Sequence, residues 1–538
     1  MSTDHTTDTP RSGGTALVAA LRHHGVDTVF GIPGTHNLPI YAGLHGSGIT
    51  HVLPRHEQGA GYAADGYARV TGRPGVVITT TGPAILNAAA AAAQAYSDSI
   101  PVLFIAPGLP VGHPGLGNGY LHEVRDQFQA MAAVVGHAQR VTSAAEIPLA
   151  VAQCFAAMTA GRPRPAYLEI PLDLLDADAG DSAPVSVPAL PVRPAAESIR
   201  AAVELLSGSA RPLLIVGGGA SAASEEVTAI ATRLAAPVIT TTNGKGVLPE
   251  SHPLALGAGV QHPTVSALVA DADVILAVGT ELAPSDWWWG PIAADSTVIR
   301  VDIDPTAVLT NIVPAAALVG DAAETLRHVV DALTDMPDRG DGRDRAAHWR
   351  ELLRADARRE GAAYLELCEA LSAALDDTAV IAGDSAMVCY YGALSNIALQ
   401  QPRSFLYPTG LGTLGYGLPA AIGAKIGAPQ RQVVALLGDG GVMFTIAELA
   451  AAAQAGLPLP IVIADNGGYG EIRDEMIDRG DTAHAVDIDS PDFAALARAL
   501  GCHGQALDSV SGLTAAVTEA LHRDRPTVIH VRVGAPAA

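Results

Sequence analysis

The stretch VVALLGDGGVMFTIAELAAAAQAGLPLPIVIADNGG, residues 433–468, decides the fold of its part of the chain. It predicts a strand over Val433–Leu437, then a helix that begins near Thr445, then a second strand over Leu459–Ala464. Thr445 and Glu448 fit the spacing of a capping box at the start of that helix. Parallel strands joined through a helix end at the same edge of a sheet, which is where open α/β sheets bind ligands.

Oxygen-bearing side chains follow both of these strands. Asp439 follows the first strand among Gly438, Gly440 and Gly441, and Asn466 follows the second strand. A carboxylate and an amide oxygen suit a hard divalent cation, and a glycine-rich turn lets the backbone approach a diphosphate. A lone Gly-Asp-Gly turn is usually structural, and no Gly-Lys-Ser/Thr of a Walker-type loop is present here. The two strand ends together therefore predict a metal and diphosphate site.

The rest of the chain repeats this alternation of strands and helices. With 538 residues it is too long for one hydrophobic core. Stretches 176–197 and 335–344 have the composition of linkers, so we predict three α/β domains with parallel sheets, over 1–180, 195–335 and 360–538. The predicted strands outside the opening stretch are 28–32, 51–53, 76–80, 102–106, 213–216, 238–241, 274–278, 298–301, 379–382 and 527–531.

Composition and charge exclude several classes of protein. The net charge of -23 disfavours binding to nucleic acid or to an anionic membrane, and no apolar run is long enough to span a bilayer. The four cysteines lie far apart, and the polar residues 2–14 do not resemble a signal peptide. We therefore expect a reduced, cytoplasmic protein without a nucleic-acid or membrane partner.

The metal motif resembles the signature of thiamine diphosphate enzymes of the acetolactate synthase and pyruvate decarboxylase superfamily. The resemblance covers nearly the whole chain and implies pyrimidine-binding, central and diphosphate-binding domains. It also implies that Mg²⁺ binds Asp439, Asn466 and the backbone carbonyl of Gly468. Asp465 stands where many members have asparagine, a position that is not a metal ligand.

A second motif, RHEQGA over 55–60, resembles the segment that carries the family's activating glutamate, and ADGYAR follows at 64–69. The resemblance implies that Glu57 contacts N1′ of the aminopyrimidine. Without the resemblance, a glutamate at the start of a helix is explained equally well by the helix dipole.

The resemblance implies further contacts around the cofactor. Leu414 would separate the aminopyrimidine and thiazolium rings of the cofactor. The carbonyl of Gly412 would accept a hydrogen bond from the 4′-amino group of the aminopyrimidine. The other positions that it places beside the cofactor are Pro83, Asn87, Ser385, Tyr469, Gly470 and Ile472.

Four residues are candidates for handling the substrate. His36 follows the first strand, and His122 stands where acetolactate synthases have glutamine; each is a candidate catalytic residue, although a loop histidine is often merely solvated. Glu471 and Glu123 are acidic candidates for a cationic substrate, since a carboxylate pairs with a guanidinium in bidentate fashion. Glu471 could instead face solvent or Arg473.

The shared chemistry implied by the family is attack on a 2-oxo acid by a C2-carbanion, loss of carbon dioxide and formation of an enamine. The motifs GIPGTHN at 31–37 and GYGEIRD at 468–474 resemble most the 5-guanidino-2-oxopentanoate (2-ketoarginine) decarboxylases. The alternatives are a carboligase of the acetolactate synthase or benzaldehyde lyase type, a decarboxylase of another 2-oxo acid, and a non-catalytic cofactor-binding homologue.

Further expectations concern the predicted central domain, residues 195–335, and the assembly of subunits. The run Val216–Gly219 lacks the full dinucleotide fingerprint, so we predict no FAD, and residues 287–289, all tryptophan, could form an interface or a lid. The family architecture implies a homodimer or homotetramer with the active site at a subunit interface.

Overall fold

The fold is that of a computed structural model, which describes residues 11–113, 117–186, 191–288, 290, 292, 296–334, 336, 339–340 and 342–533. The chain folds into two compact units. The first runs to Leu190 but leaves out Arg69–Thr71, which belong to the second unit together with the chain from Pro191 onward. In the described part of the chain no helix is long and apolar enough to cross a membrane.

The first unit is one α/β domain around a six-stranded sheet in the order β2-β1-β3-β4-β6-β5, with every pair parallel. The strands are β1 (Thr28–Gly31), β2 (Thr50–Val52), β3 (Gly75–Ile78), β4 (Val102–Gly108), β5 (His137–Arg140) and β6 (Ala166–Pro171). The helices are α1 (Gly13–His23), α2 (Leu38–Leu44), α3 (Glu57–Thr71), α4 (Pro83–Ser97), α5 (Gln127–Ala132), α6 (Ile147–Thr159) and α7 (Leu172–Asp176).

The second unit contains two sheets. The central sheet has the order β12-β11-β10-β7-β8-β9 and is also parallel throughout. Its strands are β7 (Pro212–Val216), β8 (Val238–Thr240), β9 (Ala255–Ala258), β10 (Val274–Val278), β11 (Thr297–Asp302) and β12 (Ala316–Val319). Its helices are α8 (Ala196–Gly208), α9 (Ser224–Leu234), α10 (Thr264–Asp271), α11 (Ala322–Ala332) and α12 (Arg343–Glu360).

The third sheet has the order β14-β13-β15-β16-β18-β17, again with parallel pairs only. Its strands are β13 (Val380–Gly383), β14 (Phe405–Leu406), β15 (Val433–Gly438), β16 (Pro460–Asp465), β17 (His503–Leu507) and β18 (Thr527–Arg532). Its helices are α13 (Leu365–Ser372), α14 (Leu394–Asn396), α15 (Gly417–Gly427), α16 (Asp439–Val442), α17 (Glu448–Gln454), α18 (Gly470–Asp478), α19 (Phe493–Ala499) and α20 (Leu513–Ala520), with a π-helix over Val388–Ala393.

Three α/β domains with parallel sheets are therefore confirmed, and the first and third sheets share one strand order. Central strands such as β4, β7 and β15 are runs of buried β-branched and aliphatic residues, as expected when helices cover both faces of a sheet. In the third sheet the chain passes from β13 outward to β14 and returns on the other side of β13 as β15. The ends of β13 and β15 thus flank a switch point, where doubly wound sheets bind ligands.

The predicted helix start near Thr445 is wrong. The chain turns at once into the short helix α16 after β15, and the next helix begins at Glu448. The amide of Glu448 donates to the backbone carbonyl of Thr445 at 2.9 Å, and the N-cap residue of α17 is Ala447, which makes no side-chain cap, so the predicted capping box does not form. The Thr445 hydroxyl donates to the carbonyl of Gly415 at 2.8 Å and so joins this turn to the neighbouring loop.

The glycine run of the central sheet is packed against backbone. A Cβ at Gly217 would lie 2.3 Å from the carbonyl oxygen of Gly279, and one at Gly219 would lie 2.8 Å from its Cα. These glycines therefore permit two loops to touch at the ends of β7 and β10. Of the predicted tryptophan element, Trp287 is buried and Trp288 is 44% exposed, whereas position 289 lies outside the described residues.

Candidate active site

The predicted metal ligands lie together at the ends of β15 and β16. The side-chain amide of Asn466 places one polar atom 3.1 Å from Asp439 Oδ1 and 2.9 Å from the carbonyl oxygen of Gly468. In the structure that atom is Oδ1, so three oxygens converge; a half-turn of the amide would let Nδ2 donate to both partners instead. Either that half-turn or a cation between the oxygens would satisfy the group, and a carboxylate, an amide oxygen and a carbonyl form a donor set that Mg²⁺ accepts.

The loop that carries Gly468 is held by a short antiparallel contact. The amide of Tyr469 donates to the carbonyl of Val486 at 2.8 Å, and the amide of Ile488 donates to the carbonyl of Gly467 at 3.2 Å. Gly468 has φ of +136°, a conformation that disfavours any side chain. The direction of its carbonyl is therefore fixed by both neighbours.

Asp439 is supported by Asp465 and by two residues that the sequence did not single out, Ser490 and His530. The Ser490 hydroxyl donates to Asp465 Oδ1 at 3.1 Å and to Asp439 Oδ2 at 3.4 Å, and His530 Nε2 lies 2.8 Å from Asp465 Oδ2. Burial acts to raise the pKa of Asp465, but hydrogen bonds from His530, the Gly467 amide and Ser490 lower it on balance. Burial and the neighbouring Asp465 raise the pKa of Asp439, a cost that a bound cation would offset.

The glycines around Asp439 make room for neighbouring side chains. A Cβ at Gly440 would lie 2.9 Å from the ring of Tyr469, and one at Gly441 would lie 3.3 Å from the carboxylate of Asp384. A Cβ at Gly438 would lie 3.1 Å from the side chain of Ala386. These glycines let the ends of β13 and β15 come close to the loop over 466–469. That loop carries the predicted ligands Asn466 and Gly468, and we call it the metal loop.

Asp384, next to the predicted Ser385, links the end of β13 to the loop that the sequence placed beside the cofactor. Its carboxylate is fully buried and accepts from the amides of Ser385 at 2.9 Å and Gly415 at 3.0 Å. Burial raises the pKa of Asp384 to about 6, although these amides act in the opposite direction. Gly412 has φ of +65° with open space where a side chain would stand, and Leu414 is half-buried.

Glu471 lies in the first turn of α18, directly after the metal loop. Its carboxylate accepts from the hydroxyls of Tyr390 at 3.1 Å and Tyr391 at 2.9 Å. Burial raises the pKa of Glu471, and the two tyrosine hydrogen bonds oppose that rise. Gly470 packs against Asn466, whereas Ile472 is 46% exposed.

In the first unit the two candidate histidines meet at one hydroxyl. His36 Nδ1 lies 2.6 Å from Thr81 Oγ1, and the same oxygen lies 3.2 Å from His122 Nδ1. His122 has φ of +65°, and Gly82 lies against it so closely that a Cβ there would be 2.3 Å from the His122 carbonyl oxygen. Burial, and to a lesser extent His122, lower the pKa of His36. Sequence patterns did not reveal Thr81, which joins the two rings.

The predicted activating glutamate, Glu57, has a partner on a neighbouring helix. Glu57 is the first residue of α3, and Asn87 Nδ2 donates to its Oε2 at 3.0 Å. Asn87 lies on α4, which begins at Pro83. The two predictions that the sequence drew from separate motifs are thus joined by one hydrogen bond.

Gln127 and Glu123 have structural contacts in the first unit. Gln127 is buried; its Oε1 accepts from the Gly82 amide at 2.6 Å, and its Nε2 donates to Glu169 at 3.1 Å. Gln127 therefore holds the loop between β3 and α4. Glu123 accepts from the amides of Gly119 and Tyr120 at 3.0 and 3.2 Å, so its carboxylate folds back on its own loop.

Comparisons with known proteins agree with this arrangement. Three thiamine pyrophosphate enzyme models match the chain: the N-terminal TPP binding domain at 11–131, the central domain at 199–329 and the C-terminal TPP binding domain at 376–531. A Pseudomonas aeruginosa protein named "Probable 2-ketoarginine decarboxylase AruI" is 42% identical over 91% of this chain and 88% of its own. The acetolactate synthase isozyme 2 large subunit of Escherichia coli is 34% identical over 97% of this chain and 95% of its own.

Solved structures support the same assignment. An X-ray structure from Mycobacterium smegmatis, assigned as a thiamin diphosphate-dependent enzyme, superposes with a TM-score of 0.84 at 25% identity. The match covers 97% of this chain and 99% of the Mycobacterium smegmatis chain. The sequence motifs, the three parallel sheets and these matches lead to one conclusion: the chain belongs to the thiamine pyrophosphate enzyme family.

Proposed function

We propose that this chain catalyses the thiamine diphosphate- and Mg²⁺-dependent, non-oxidative decarboxylation of 5-guanidino-2-oxopentanoate. The observation that carries the choice of substrate is the carboxylate of Glu471, which lies in the first turn of α18, directly after the metal loop, and has no cationic partner among the described residues. The 42% identity to a protein named as a 2-ketoarginine decarboxylase supports the same choice.

In this proposal Asp439, Asn466 and the Gly468 carbonyl would hold Mg²⁺, and the ion would offset the negative charge of the cofactor's diphosphate. With the Asn466 amide oxygen facing the other two oxygens, these residues offer a donor set that the ion accepts. Gly412 and Leu414 would line the cofactor. The other predicted positions beside it are Pro83, Ser385, Gly438, Gly440, Gly441, Tyr469, Gly470 and Ile472. When bound, thiamine diphosphate supplies the electron sink for the charge left behind by departing carbon dioxide.

Glu57 holds a proton at N1′ of the aminopyrimidine. Asn87 donates to Oε2 of Glu57 and so fixes the rotation of the carboxyl group. We expect Glu57→Gln to bind the cofactor with unchanged affinity but to lose about 100-fold or more of turnover, as general acid–base catalysis is removed. Calorimetric titration with cofactor and a rate assay on the same sample separate the two effects, and full activity would rule out this role.

In this proposal His36 and His122 exchange protons with the substrate. Burial lowers the pKa of His36, so its ring is neutral near pH 7 and can accept a proton. The shared hydroxyl of Thr81 orients both rings, since it lies within hydrogen-bonding distance of each Nδ1. Glu123 keeps only a secondary place as a substrate contact, because it already binds two backbone amides.

A carboligase is the second candidate, because acetolactate synthases also match nearly the whole chain. Both functions begin with decarboxylation, and they differ in whether the remaining fragment takes a proton or a second carbonyl compound.

The deciding experiment measures carbon dioxide release over a panel of 2-oxo acids, with cofactor and Mg²⁺ added and products identified by mass. One aldehyde per carbon dioxide supports the decarboxylase. A ligated product establishes the carboligase. Absence of turnover with every acid would leave only a cofactor-binding homologue.

We also propose a homodimer or homotetramer in which the site lies between subunits, so that Glu57 of one copy serves Asp439 of another. Exposed apolar side chains near the cofactor loops, Leu411 at 48% and Phe444 at 53%, support an interface there. Light scattering of the purified protein gives the number of subunits.

A further inference from the structure

Three aromatic rings and one carboxylate form a cluster beside the metal loop, and we call these four residues (Trp288, Tyr390, Tyr391 and Glu471) the aromatic–acidic box. The centroids of the two tyrosine rings are 4.7 Å apart with planes at 68°. Trp288 stands 6.0 Å from Tyr390 and 5.7 Å from Tyr391, nearly perpendicular to both. Both tyrosine hydroxyls donate to Glu471, one to each oxygen.

The box depends on an unusual piece of backbone. Consecutive residues of an α-helix point in directions about 100° apart, so adjacent side chains do not face one target. Tyr390 and Tyr391 lie within the π-helix Val388–Ala393, and both reach the same carboxylate. π-Helical turns are rare in proteins as a whole, but those that do occur are often found at functional sites.

The box adjoins the metal loop directly. A Cβ at Gly470 would lie 2.6 Å from Asn466 Nδ2 and 2.9 Å from Met387 Sδ, so Asn466 and the start of the π-helix touch the residue before Glu471. The box therefore adjoins the loop that carries the predicted ligands Asn466 and Gly468.

The electrostatics of the box favour a cation. Glu471 is half-buried, its nearest charged neighbours are Glu475 and Asp474, and no described arginine, lysine or histidine forms an ion pair with it. Arg473, the nearest arginine in sequence, lies 3.7 Å from Asp474 and 3.5 Å from Asp487. A partly desolvated carboxylate without a cationic partner is costly unless a ligand supplies one.

We propose that the aromatic–acidic box is the subsite for the planar, cationic end of the substrate, a guanidinium group. The tyrosine hydroxyls use one lone pair on each oxygen of Glu471 and fix the plane of the carboxylate, which leaves lone pairs for a bidentate guanidinium. Trp288 and the tyrosine rings offer faces for cation–π contact. This subsite selects a planar cation over a neutral chain and over a compact ammonium. The inference deepens the proposed decarboxylation and rests on it.

A matched series of substrates tests the box. It consists of 5-guanidino-2-oxopentanoate, its neutral urea analogue 5-ureido-2-oxopentanoate, and the ammonium compound 6-amino-2-oxohexanoate. We expect the wild-type enzyme to prefer the guanidino acid over the urea analogue by at least about 100-fold in kcat/KM. The ureido compound has the same shape, so that ratio isolates the charge.

Variants then locate the preference. Glu471→Gln should lower kcat/KM for the guanidino acid by about 100-fold and leave the urea analogue nearly unchanged, which would abolish the preference. Tyr391→Phe and Trp288→Leu should each lower it by about 3- to 10-fold, mainly through KM and only for the cationic substrates. The matched control is Asp478→Asn, an exposed acid at the end of the same helix, which should keep the wild-type preference.

The outcomes separate the box from the proposed function. If the enzyme turns over guanidino and ureido acids alike, or if Glu471→Gln lowers both equally, the box is refuted while decarboxylation stands. If no 2-oxo acid is turned over, the proposed decarboxylation fails. Calorimetric binding of the guanidino acid, with and without Glu471→Gln, then decides the box alone: equal affinities overturn it, and a loss of about 10-fold or more supports it.

Discussion

Two adjacent glycines in the metal loop give a sharp test of the proposed Mg²⁺ site. Gly467 and Gly468 both have positive φ, at +81° and +136°. A Cβ added at Gly467 would point into open space, whereas a Cβ added at Gly468 would lie 2.2 Å from the carbonyl oxygen of Val486. Gly467→Ala therefore introduces backbone strain alone, and Gly468→Ala introduces strain together with a collision.

The size of the collision sets the expected effect. An ordinary contact between non-bonded atoms is about 3.5 Å, so Gly468→Ala must shift the loop or Val486 by about 1 Å. Mg²⁺ requires near-ideal geometry at about 2.0–2.1 Å, and a carbonyl displaced by that much no longer binds it. We expect the Mg²⁺ concentration for half-maximal activity to rise about 10- to 100-fold. Gly467→Ala should cost about 1–2 kcal/mol of stability and leave that concentration near the wild-type value.

The assay is the decarboxylation rate as a function of Mg²⁺, at saturating cofactor, after dialysis against a chelator. Thermal unfolding of the same samples without Mg²⁺ shows whether each variant is folded. Asp439→Asn sets the upper limit of the effect, because it removes a charged ligand outright. The reasoning is refuted if folded Gly468→Ala and Gly467→Ala need the same Mg²⁺ concentration.

Three further predictions follow from other contacts. Glu250→Gln removes the carboxylate that holds the buried Lys245 ammonium at 2.8 Å, and denaturant unfolding should show a loss of about 3–5 kcal/mol. An equal mixture of Glu57→Gln and Asp439→Asn chains, refolded together, should regain about one quarter of wild-type activity if each site uses one residue from each subunit of a dimer. Because burial raises the pKa of Glu471, KM for the guanidino acid should rise as pH falls through that raised pKa, since protonation removes the charge that holds the cation, and KM for the ureido acid should not.

Each of these predictions has its own control. Arg200→Ala breaks the exposed Arg200–Glu197 pair and should change stability by less than about 1 kcal/mol, and a similar loss in Glu250→Gln would contradict the buried-pair argument. Mixed chains as inactive as either variant alone would contradict a shared site. A pH dependence of KM that persists in Glu471→Gln would assign it to another group.

Most of the fold was predictable from hydrophobic patterns; six strands were missed, β5, β6, β9, β12, β14 and β17, and four of them have a physical reason. The strands β5 and β17 lie at sheet edges, are half-exposed and contain polar residues such as His137 and Gln505. Strand β14 has two residues and is defined only by its pairing with β13. Strand β6 is fully buried, but Glu169 interrupts the apolar run that would predict a buried strand. Arg140 and Gln127 donate hydrogen bonds to the carboxylate of Glu169.

The sequence by itself determined the three parallel sheets and the convergence of Asp439 with Asn466. Parallel strands joined through a helix end at one edge, so the residues that follow neighbouring strands come together whatever the rest of the chain does. The family resemblance placed Glu57 and Asn87 beside the same cofactor, and only the structure shows the hydrogen bond between them, since no local rule joins two separate helices.

Only the tertiary structure decided which side chains surround those residues. Ser490 and His530 support Asp439 through Asp465, Thr81 joins His36 to His122, and Trp288 and two tyrosines enclose Glu471. These partners are far apart in sequence and follow no periodic spacing. Their positions depend on sheet order, on one π-helical turn and on glycines that permit close packing, and composition and periodicity encode none of these.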